Sequence, residues 1–237
     1  MFKKLYQTLV RHKYKLAVFV LLALSSATCI TLVGARVAYS DSGRYTGLVW
    51  NLFLAWIPFV LAYVAYALSW RRALIYLVIP IFAFLWLIFF PNAPYLITDL
   101  QHLREGVSEA PLWFDVILLI WFSWTGLLLG VVSLYLMQEI VKRVFGKFFG
   151  WLMVLSVSIL GSIGVYLGRF LRWNSWDLIH MPKEILRDAW YLLRSFNLSA
   201  AGFVGLFTVF FLFVYLTLYA FGHLHQEQSA HTEGQNV

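Results

Sequence analysis

The sequence predicts an all-α membrane protein: a polytopic bundle of six transmembrane helices, with a short amphipathic interfacial helix before the last span. Of its 237 residues, 62% are hydrophobic and only 12% are charged, which is far outside the composition of a soluble domain. The apolar residues collect in six charge-free windows, each about long enough to cross roughly 30 Å of hydrocarbon as a helix. Helices are expected because they satisfy their own backbone hydrogen bonds, which lipid cannot do. The windows are residues 16–35, 48–68, 73–90, 116–137, 151–167 and 200–221.

The first window is interpreted as an uncleaved helix. It follows basic residues, including Lys13 and Lys15, as a signal peptide would. Its apolar run is longer than that of a signal peptide, however, and no good small-residue cleavage site follows it. The single cysteine, Cys29, lies inside this run. It cannot form an intrachain disulfide and is expected to pack as a small apolar residue.

Short basic connections join spans two and three and spans four and five, at Arg71, Arg72 and residues 138–150. If both termini are cytoplasmic, the cytoplasmic segments carry ten Lys and Arg with three acids, and the outer segments carry eight basic and eight acidic residues. The total of ten against eight discriminates poorly, but the short inner turns are basic and the outer charges are mixed with carboxylates. We therefore predict a multipass cell-membrane protein with both termini in the cytoplasm.

Polar residues follow or precede several spans on the predicted outer side. Pro91 and Pro94 are expected to end span three sharply and to turn the chain across the mouth of the bundle. The stretch after them is predicted to form a short helix with Asp99 and His102 on one face. Ionisable groups near a membrane core usually face a cavity or one another. The predicted ligand-binding residues at this polar site are Asn92, Asp99, His102, Asp115, Arg169, Arg172, Asn174, Trp176 and Asp177.

Two alternatives stand beside that site. Tryptophan, tyrosine and arginine suit the headgroup zone, so residues such as Trp176 are also explained as membrane anchors. The carboxylates are also explained as a structural Asp–Arg network, with Arg104, Arg169 and Arg172 as ion-pair partners. Residues after Pro182 alternate apolar and basic positions and predict an amphipathic helix on the membrane surface, either as an anchor or as a lid over the site.

The domain organisation is simple. Residues 1–221 are predicted to form a single six-helix transmembrane domain, and the polar segment 222–237 a disordered cytoplasmic tail. Gly126 and Gly130 in span four, and Gly161, Gly164 and Gly168 in span five, mark places where helices are expected to approach closely.

The motifs exclude several chemistries. The sequence has no His-Glu-x-x-His, no Gly-x-Ser-x-Gly and no phosphate-binding glycine loop. No cofactor and no nucleic-acid partner are predicted. Asp99 to His102 and Asp177 to His180 share an Asp-Leu-x-His spacing that would bring two nitrogens and two oxygens to a metal if the pairs met. An Asp–Arg network is the preferred interpretation of the same carboxylates, so no metal site is predicted.

Three stretches resemble the DUF1361 family of predicted multipass membrane proteins: PNAPYLITDL after span three, WFD opening span four, and YLGRFLRWNSWDL at the end of span five. The resemblance extends over roughly residues 45–220. It implies that these segments are features of the family, and it implies no catalytic assignment, because no activity is established for that family.

Three classes of function are open. The favoured class is a protein that binds or transports an anionic or lipid-like ligand at the outer polar site, where arginine forks match phosphate geometry. The second is a membrane-embedded enzyme that acts on a lipid-linked substrate with an Asp or His base. The third is a non-catalytic membrane scaffold. Membrane lipids are the predicted partners, and the oligomeric state is left open.

Overall fold

The computed structural model describes residues 13–104, 110–194 and 198–234, and within these ranges every regular element is helical. Six helices are long and apolar enough to cross a membrane, as predicted. They are Leu16–Ser40, Gly47–Leu68, Val78–Leu103, Leu112–Phe145, Lys147–Phe170 and Leu198–His223. The basic residues Lys3, Lys4 and Arg11 of the N-terminal segment lie outside the described residues.

The helices, numbered in chain order, include several short connecting ones. The long helices are α1 (Lys13–Ser40), α2 (Gly47–Leu68), α4 (Val78–Phe89), α6 (Leu112–Phe145), α7 (Lys147–Phe170) and α10 (Leu198–Gly234). The shorter ones are α3 (Arg72–Ile75), α5 (Asn92–Tyr95), a 3₁₀ helix (Leu96–Arg104), α8 (Asp177–His180) and α9 (Pro182–Arg194). The predicted amphipathic helix before the last span is therefore α9.

Several long helices extend beyond the charge-free windows that predicted them, and in two of them the added residues include a buried charge. Helix α1 continues to Ser40 and includes Arg36, and helix α6 begins at Leu112 and includes Asp115. The windows ended at the first charge, whereas a helix ends where its backbone hydrogen bonds end. Both charged residues are accommodated because each has a partner of opposite charge, described below.

The Pro-Asn-Ala-Pro segment behaves differently from the expectation. Helix α4 does end just before it, at Phe89. Phe90, which precedes a proline, nevertheless keeps helical backbone angles, with φ −52° and ψ −42°. Pro91 begins another helical turn, and the 3₁₀ helix follows directly. The chain thus continues in short helical turns instead of becoming extended, because proline is tolerated at the first position of a turn.

The described residues divide into two compact units, one up to Ser133 and one from Leu134. Unit 1 contains α1 to α5, the 3₁₀ helix and the first part of α6. Its core is apolar and lies between α1, α2, the 3₁₀ helix and α6; it includes Leu52, Phe59, Leu96, Leu118 and Phe122. Hydroxyl groups add links between helices, since Ser25 Oγ lies 2.6 Å from Thr125 Oγ1 and Trp56 Nε1 donates to Ser26 Oγ at 2.9 Å.

Unit 2 contains the rest of α6 with α7 to α10. Helices α7 and α10 pack along each other, and Thr208 Oγ1 lies 2.9 Å from Ser162 Oγ between them. Buried Ile185 fixes α9 to this unit by contact with Ile163 and Leu167. Helix α10 continues to Gly234, into the segment for which disorder was predicted. A polar helix without a face to bury is expected to fray in water, so the disorder of the tail stays a prediction.

Candidate functional site

A buried ion pair joins the end of α1 to the start of α6. Arg36 Nε lies 2.7 Å from Asp115 Oδ1, and Arg36 Nη2 donates to Asp115 Oδ2 at 3.4 Å. Both side chains are only 1% exposed. The two-point contact is the geometry in which guanidinium and carboxylate bind most strongly. The helix ends add to it, because Asp115 lies in the first turn of α6, where the helix dipole favours an anion.

Tyr45, in the connection between α1 and α2, touches both members of this pair. Its ring lies under the guanidinium of Arg36, 4.6 Å from centroid to Cζ, and its hydroxyl donates to Asp115 Oδ2 at 3.4 Å. Burial and, next, the negative charge of Asp115 raise the pKa of the Tyr45 phenol. The phenol therefore stays protonated at neutral pH and remains a donor to the carboxylate.

A second buried carboxylate lies on the 3₁₀ helix. Asp99 is 1% exposed and accepts a hydrogen bond from Asn51 Nδ2 at 3.2 Å. Its Oδ1 also lies 3.6 Å from His102 Nε2, and the His102 side chain is 30% exposed. The predicted i,i+3 relation between Asp99 and His102 is met, and a 3₁₀ helix serves it well because residues three apart are eclipsed.

Arg44 connects the two carboxylate clusters. Its Nη2 donates to the backbone carbonyl of His102 at 2.8 Å, and its guanidinium lies 5.4 Å from the centre of the Tyr45 ring. Two guanidinium groups thus lie near the Tyr45 ring, and contacts run without interruption from Asp115 to Asp99. We name this group the Asp99–Asp115 network; its members are Arg36, Arg44, Tyr45, Asn51, Asp99, His102 and Asp115.

Close packing against α6 holds the segment that carries Asp99. Ser123 Oγ donates to the carbonyl of Leu96 at 3.0 Å. One turn later, a Cβ atom added at Gly126 would lie 2.5 Å from the carbonyl oxygen of Ala93. Only glycine allows this approach, so the close contact that the sequence predicted for Gly126 is made by the turn before the 3₁₀ helix.

Sequence reasoning found part of the network and missed part of it. Asp99, His102 and Asp115 were predicted site residues. Arg36, Arg44 and Tyr45 were missed. The sequence held one signal for this part of the network. Arg36 is the first charged residue after the apolar run of span one, and a helix can continue past the end of such a run. Asn92, also predicted, begins α5, the turn before the 3₁₀ helix, and donates from Nδ2 to the carbonyl of Phe89 at 2.9 Å.

The other predicted site residues belong to unit 2. The Asp177 carboxylate accepts hydrogen bonds from the backbone N–H and the Nδ2 of Asn174, at 2.7 and 3.2 Å. These bonds close the turn that begins α8, a local role of the kind that Asn and Asp often have in turns. Trp176 is half-buried in the same turn.

Arg169 and Arg172 stand at the end of α7. Arg169 is half-buried in the last helical turn, and Arg172 is exposed. The backbone of Arg172 is in the left-handed region, with φ +59°. This conformation costs a non-glycine residue of the order of 1–2 kcal/mol. The structure pairs Asp115 with Arg36 of α1, and the pairing of Arg169 and Arg172 with a carboxylate stays a prediction.

The two segments that share the Asp-Leu-x-His spacing do not form a metal-binding cluster among the described residues. In the part of the chain that the structure describes, no three side chains of His, Cys, Asp or Glu lie close enough together to hold a metal ion. Asp99 and His102 meet as a pair within unit 1, and Asp177 bonds to its own turn. The two matching tetrapeptides therefore carry no metal proposal.

Comparison with known proteins gives one finding. A family model described as a protein of unknown function, DUF1361, matches residues 50–216, which is more than half of the chain. The chain belongs to the DUF1361 family. No curated protein and no solved structure matches it. The resemblance predicted from the sequence is thereby confirmed, over nearly the predicted extent.

The boundary of the match divides the network. Asn51, Asp99, His102 and Asp115 lie within the DUF1361 region, whereas Arg36, Arg44 and Tyr45 lie before it. In this member of the family, the cation that pairs with Asp115 therefore comes from α1, and Arg44 comes from the connection that follows it.

Proposed function

We propose that this DUF1361 protein binds or transports an anionic or lipid-like ligand at a polar site formed around the Asp99–Asp115 network. The observation that carries the proposal is the burial of Asp99, Asp115 and Arg36, each 1% exposed, in an otherwise apolar helical unit. Burying charged groups is costly even when they are paired, and apolar residues of similar size often give a more stable fold. Ionisable groups placed within membrane helices therefore indicate a functional site.

The accessible edge of the network favours a ligand with negative charge. Arg44 and His102 are half-buried, whereas the carboxylates beneath them are buried. The Arg44 guanidinium is held between the Tyr45 ring and the His102 carbonyl, so its planar fork is oriented in advance. A pre-oriented guanidinium binds phosphate or carboxylate groups with less loss of side-chain freedom.

Unit 2 carries a second set of proposed ligand-binding residues, which are Arg169, Arg172, Asn174, Trp176 and Asp177. The left-handed backbone of Arg172 supports a role for its side chain, because a glycine there would avoid the conformational cost. The positive-inside pattern supports an extracytoplasmic position for these residues and a cytoplasmic position for both termini.

A direct test uses soluble short-chain phosphatidylglycerol as the probe and purified protein in detergent. We expect Arg44→Lys to weaken binding by about tenfold, because lysine keeps the charge but loses the fork. Arg44→Gln should weaken it further. The matched control is Arg71→Lys, an exposed arginine on the connection after α2, which should leave the affinity unchanged. Equal affinity for the Arg44→Lys protein and the wild type would refute a clamp at Arg44.

The unit 2 arginines are tested separately with the same probe. If Arg169 and Arg172 bind an anionic group, the variant Arg169→Lys/Arg172→Lys should bind the phosphatidylglycerol probe more weakly than the wild type does. Unchanged affinity in that protein removes both residues from the proposed site and leaves Arg44 to be judged by its own variants.

The second candidate is a membrane-embedded enzyme acting on a lipid-linked substrate. The approach of buried Asp99 to partly exposed His102 favours it, since a carboxylate that orients an imidazole is a common arrangement for a general base. Turnover of the bound phosphatidylglycerol by the wild type, with loss of turnover but not of binding in His102→Gln, would support the enzyme. Binding without turnover in both proteins would support the binding or transport function.

A further inference from the structure

Some apolar side chains of helix α9 pack against unit 2, and others are exposed. Ile185 is 8% exposed and packs on α7, and Ala189 is half-buried beside it. Leu186 and Trp190, one helical turn apart on the neighbouring face, are 63% and 61% exposed. One strip of α9 therefore attaches it to unit 2, and an adjacent strip of large apolar side chains remains uncovered by the described residues.

The basic residues of α9 lie next to the uncovered apolar strip. Lys183, Arg187 and Arg194 are separated by four and seven residues, so they project from one face of the helix. All three are exposed. At 100° per residue, this face directly adjoins the one that carries Leu186 and Trp190.

The acidic residues of the helix project from the opposite edge. Asp188 is turned towards the protein, because its Oδ2 accepts a hydrogen bond from Trp173 Nε1 at 3.0 Å. Glu184 precedes buried Ile185 and lies three residues before Arg187, which places it about 60° from that arginine around the helix. Among the described residues, the ion pair within α9 is a long one, with 3.8 Å between Arg187 Nε and Asp188 Oδ1. The basic face therefore adjoins the carboxylates on one side and the uncovered apolar strip on the other, and the three basic residues of the helix outnumber its two acidic ones.

We infer that α9 docks on the surface of an anionic phospholipid bilayer, with Leu186 and Trp190 inserted at the acyl boundary and Lys183, Arg187 and Arg194 against the phosphate groups. Helices that lie in the membrane surface have this division, with large apolar residues on one face and Lys and Arg on the other. Helix α9 contacts α7 and α10, two of the candidate membrane spans. None of its residues belongs to the Asp99–Asp115 network, whose members are all in unit 1.

The charge arm of the test is native mass spectrometry of the purified protein titrated with dioleoyl phosphatidylglycerol or dioleoyl phosphatidylcholine. We expect the wild type to prefer phosphatidylglycerol. The variant Lys183→Gln/Arg187→Gln/Arg194→Gln should lose at least about fivefold of its affinity for phosphatidylglycerol and keep its affinity for phosphatidylcholine. The control carries Arg71→Gln, Arg143→Gln and Lys147→Gln. These substitutions remove the same charge from positions outside α9 and should preserve the preference for phosphatidylglycerol. If the α9 variant keeps the preference, or if the control loses it equally, the inference is wrong.

The geometric arm uses nitroxide labels on single cysteines in vesicles of phosphatidylcholine and phosphatidylglycerol, with Cys29 replaced by alanine. A label at Leu186 should collide more with oxygen, which concentrates in the membrane, and a label at Glu184 should collide more with a water-soluble nickel complex. Equal collision with both reagents at the two positions would overturn the docking, whatever the lipid titration shows. Neither arm alters Arg44, Arg169 or Arg172, so its failure is distinct from failure of the proposed ligand site.

Discussion

The Arg36–Asp115 ion pair allows a quantitative test of how unit 1 is held together. Because both side chains are 1% exposed and meet at 2.7 Å, replacing one partner leaves the other charge buried without compensation. Each of Arg36→Met and Asp115→Asn should therefore destabilise the protein by about 3–5 kcal/mol. The double variant buries no unpaired charge at this position, so its loss should be far smaller than the sum of the two single losses.

The assay is thermal unfolding of the purified protein in detergent, followed by tryptophan fluorescence. At roughly 2–4 °C per kcal/mol for a chain of this length, each single variant should lower the midpoint by roughly 6–20 °C. The matched control is Arg187→Met. That arginine is 63% exposed and lies 3.8 Å from Asp188, and an exposed pair of this kind is worth at most about 1 kcal/mol.

Two results would refute the reasoning. If the double variant loses as much stability as the two single variants together, the residues do not act as a pair. If Arg36→Met behaves like Arg187→Met, the Arg36 guanidinium is hydrated in the folded protein and is not buried with its carboxylate. Tyr45→Phe combined with each single variant then shows whether the phenol shares in the same interaction energy.

Three further predictions concern packing, ionisation and topology. Gly126→Ala should lower the stability by about 1–3 kcal/mol, because the new Cβ would meet a backbone carbonyl oxygen. Gly202→Ala is the control and should cause no loss, because nothing lies within 4 Å of its Cβ position. Equal effects of the two substitutions in the same unfolding assay would exclude the close approach at Gly126. The pKa of Tyr45 is raised in the folded protein, so the free energy of unfolding should fall, relative to that of Tyr45→Phe, as the pH rises above about 10, the ordinary pKa of tyrosine. Parallel plots of unfolding free energy against pH for the two proteins would contradict this. An impermeant thiol reagent should label a single cysteine at Ser175 from outside intact cells but not one at Ser229, and the reverse pattern would invert the predicted topology.

The spans could be predicted from the sequence because their determinants are local. An apolar run without charges predicts a membrane helix whatever surrounds it. The ends were less predictable, since the windows stop at the first charge. Arg36 and Asp115 lie beyond two such ends, and their inclusion in α1 and α6 depends on a contact between residues 79 positions apart. No local pattern contains that information.

The candidate site shows the same division. Asp99 and His102 could be paired in advance because their spacing of three is local, and the structure confirms the pair. The partner of Asp115 could not be predicted in the same way. Several arginines were available on the predicted outer side, and the choice of Arg36 follows from the way that α1 packs beside α6, with Ser25 against Thr125. That choice is a property of tertiary packing.

The distance along the chain between Arg36 and Asp115 has a consequence for biosynthesis. At roughly 5–20 residues per second, a ribosome needs roughly 4–16 s to add the 79 residues that separate the two partners. During this interval the guanidinium at the end of the first helix must be accommodated without its carboxylate, by water or by lipid phosphates at the membrane surface. The first helix is therefore expected to reach its final depth only after the fourth span has been synthesised, and pairing of the earliest helix with a later one becomes a late event in assembly of the protein.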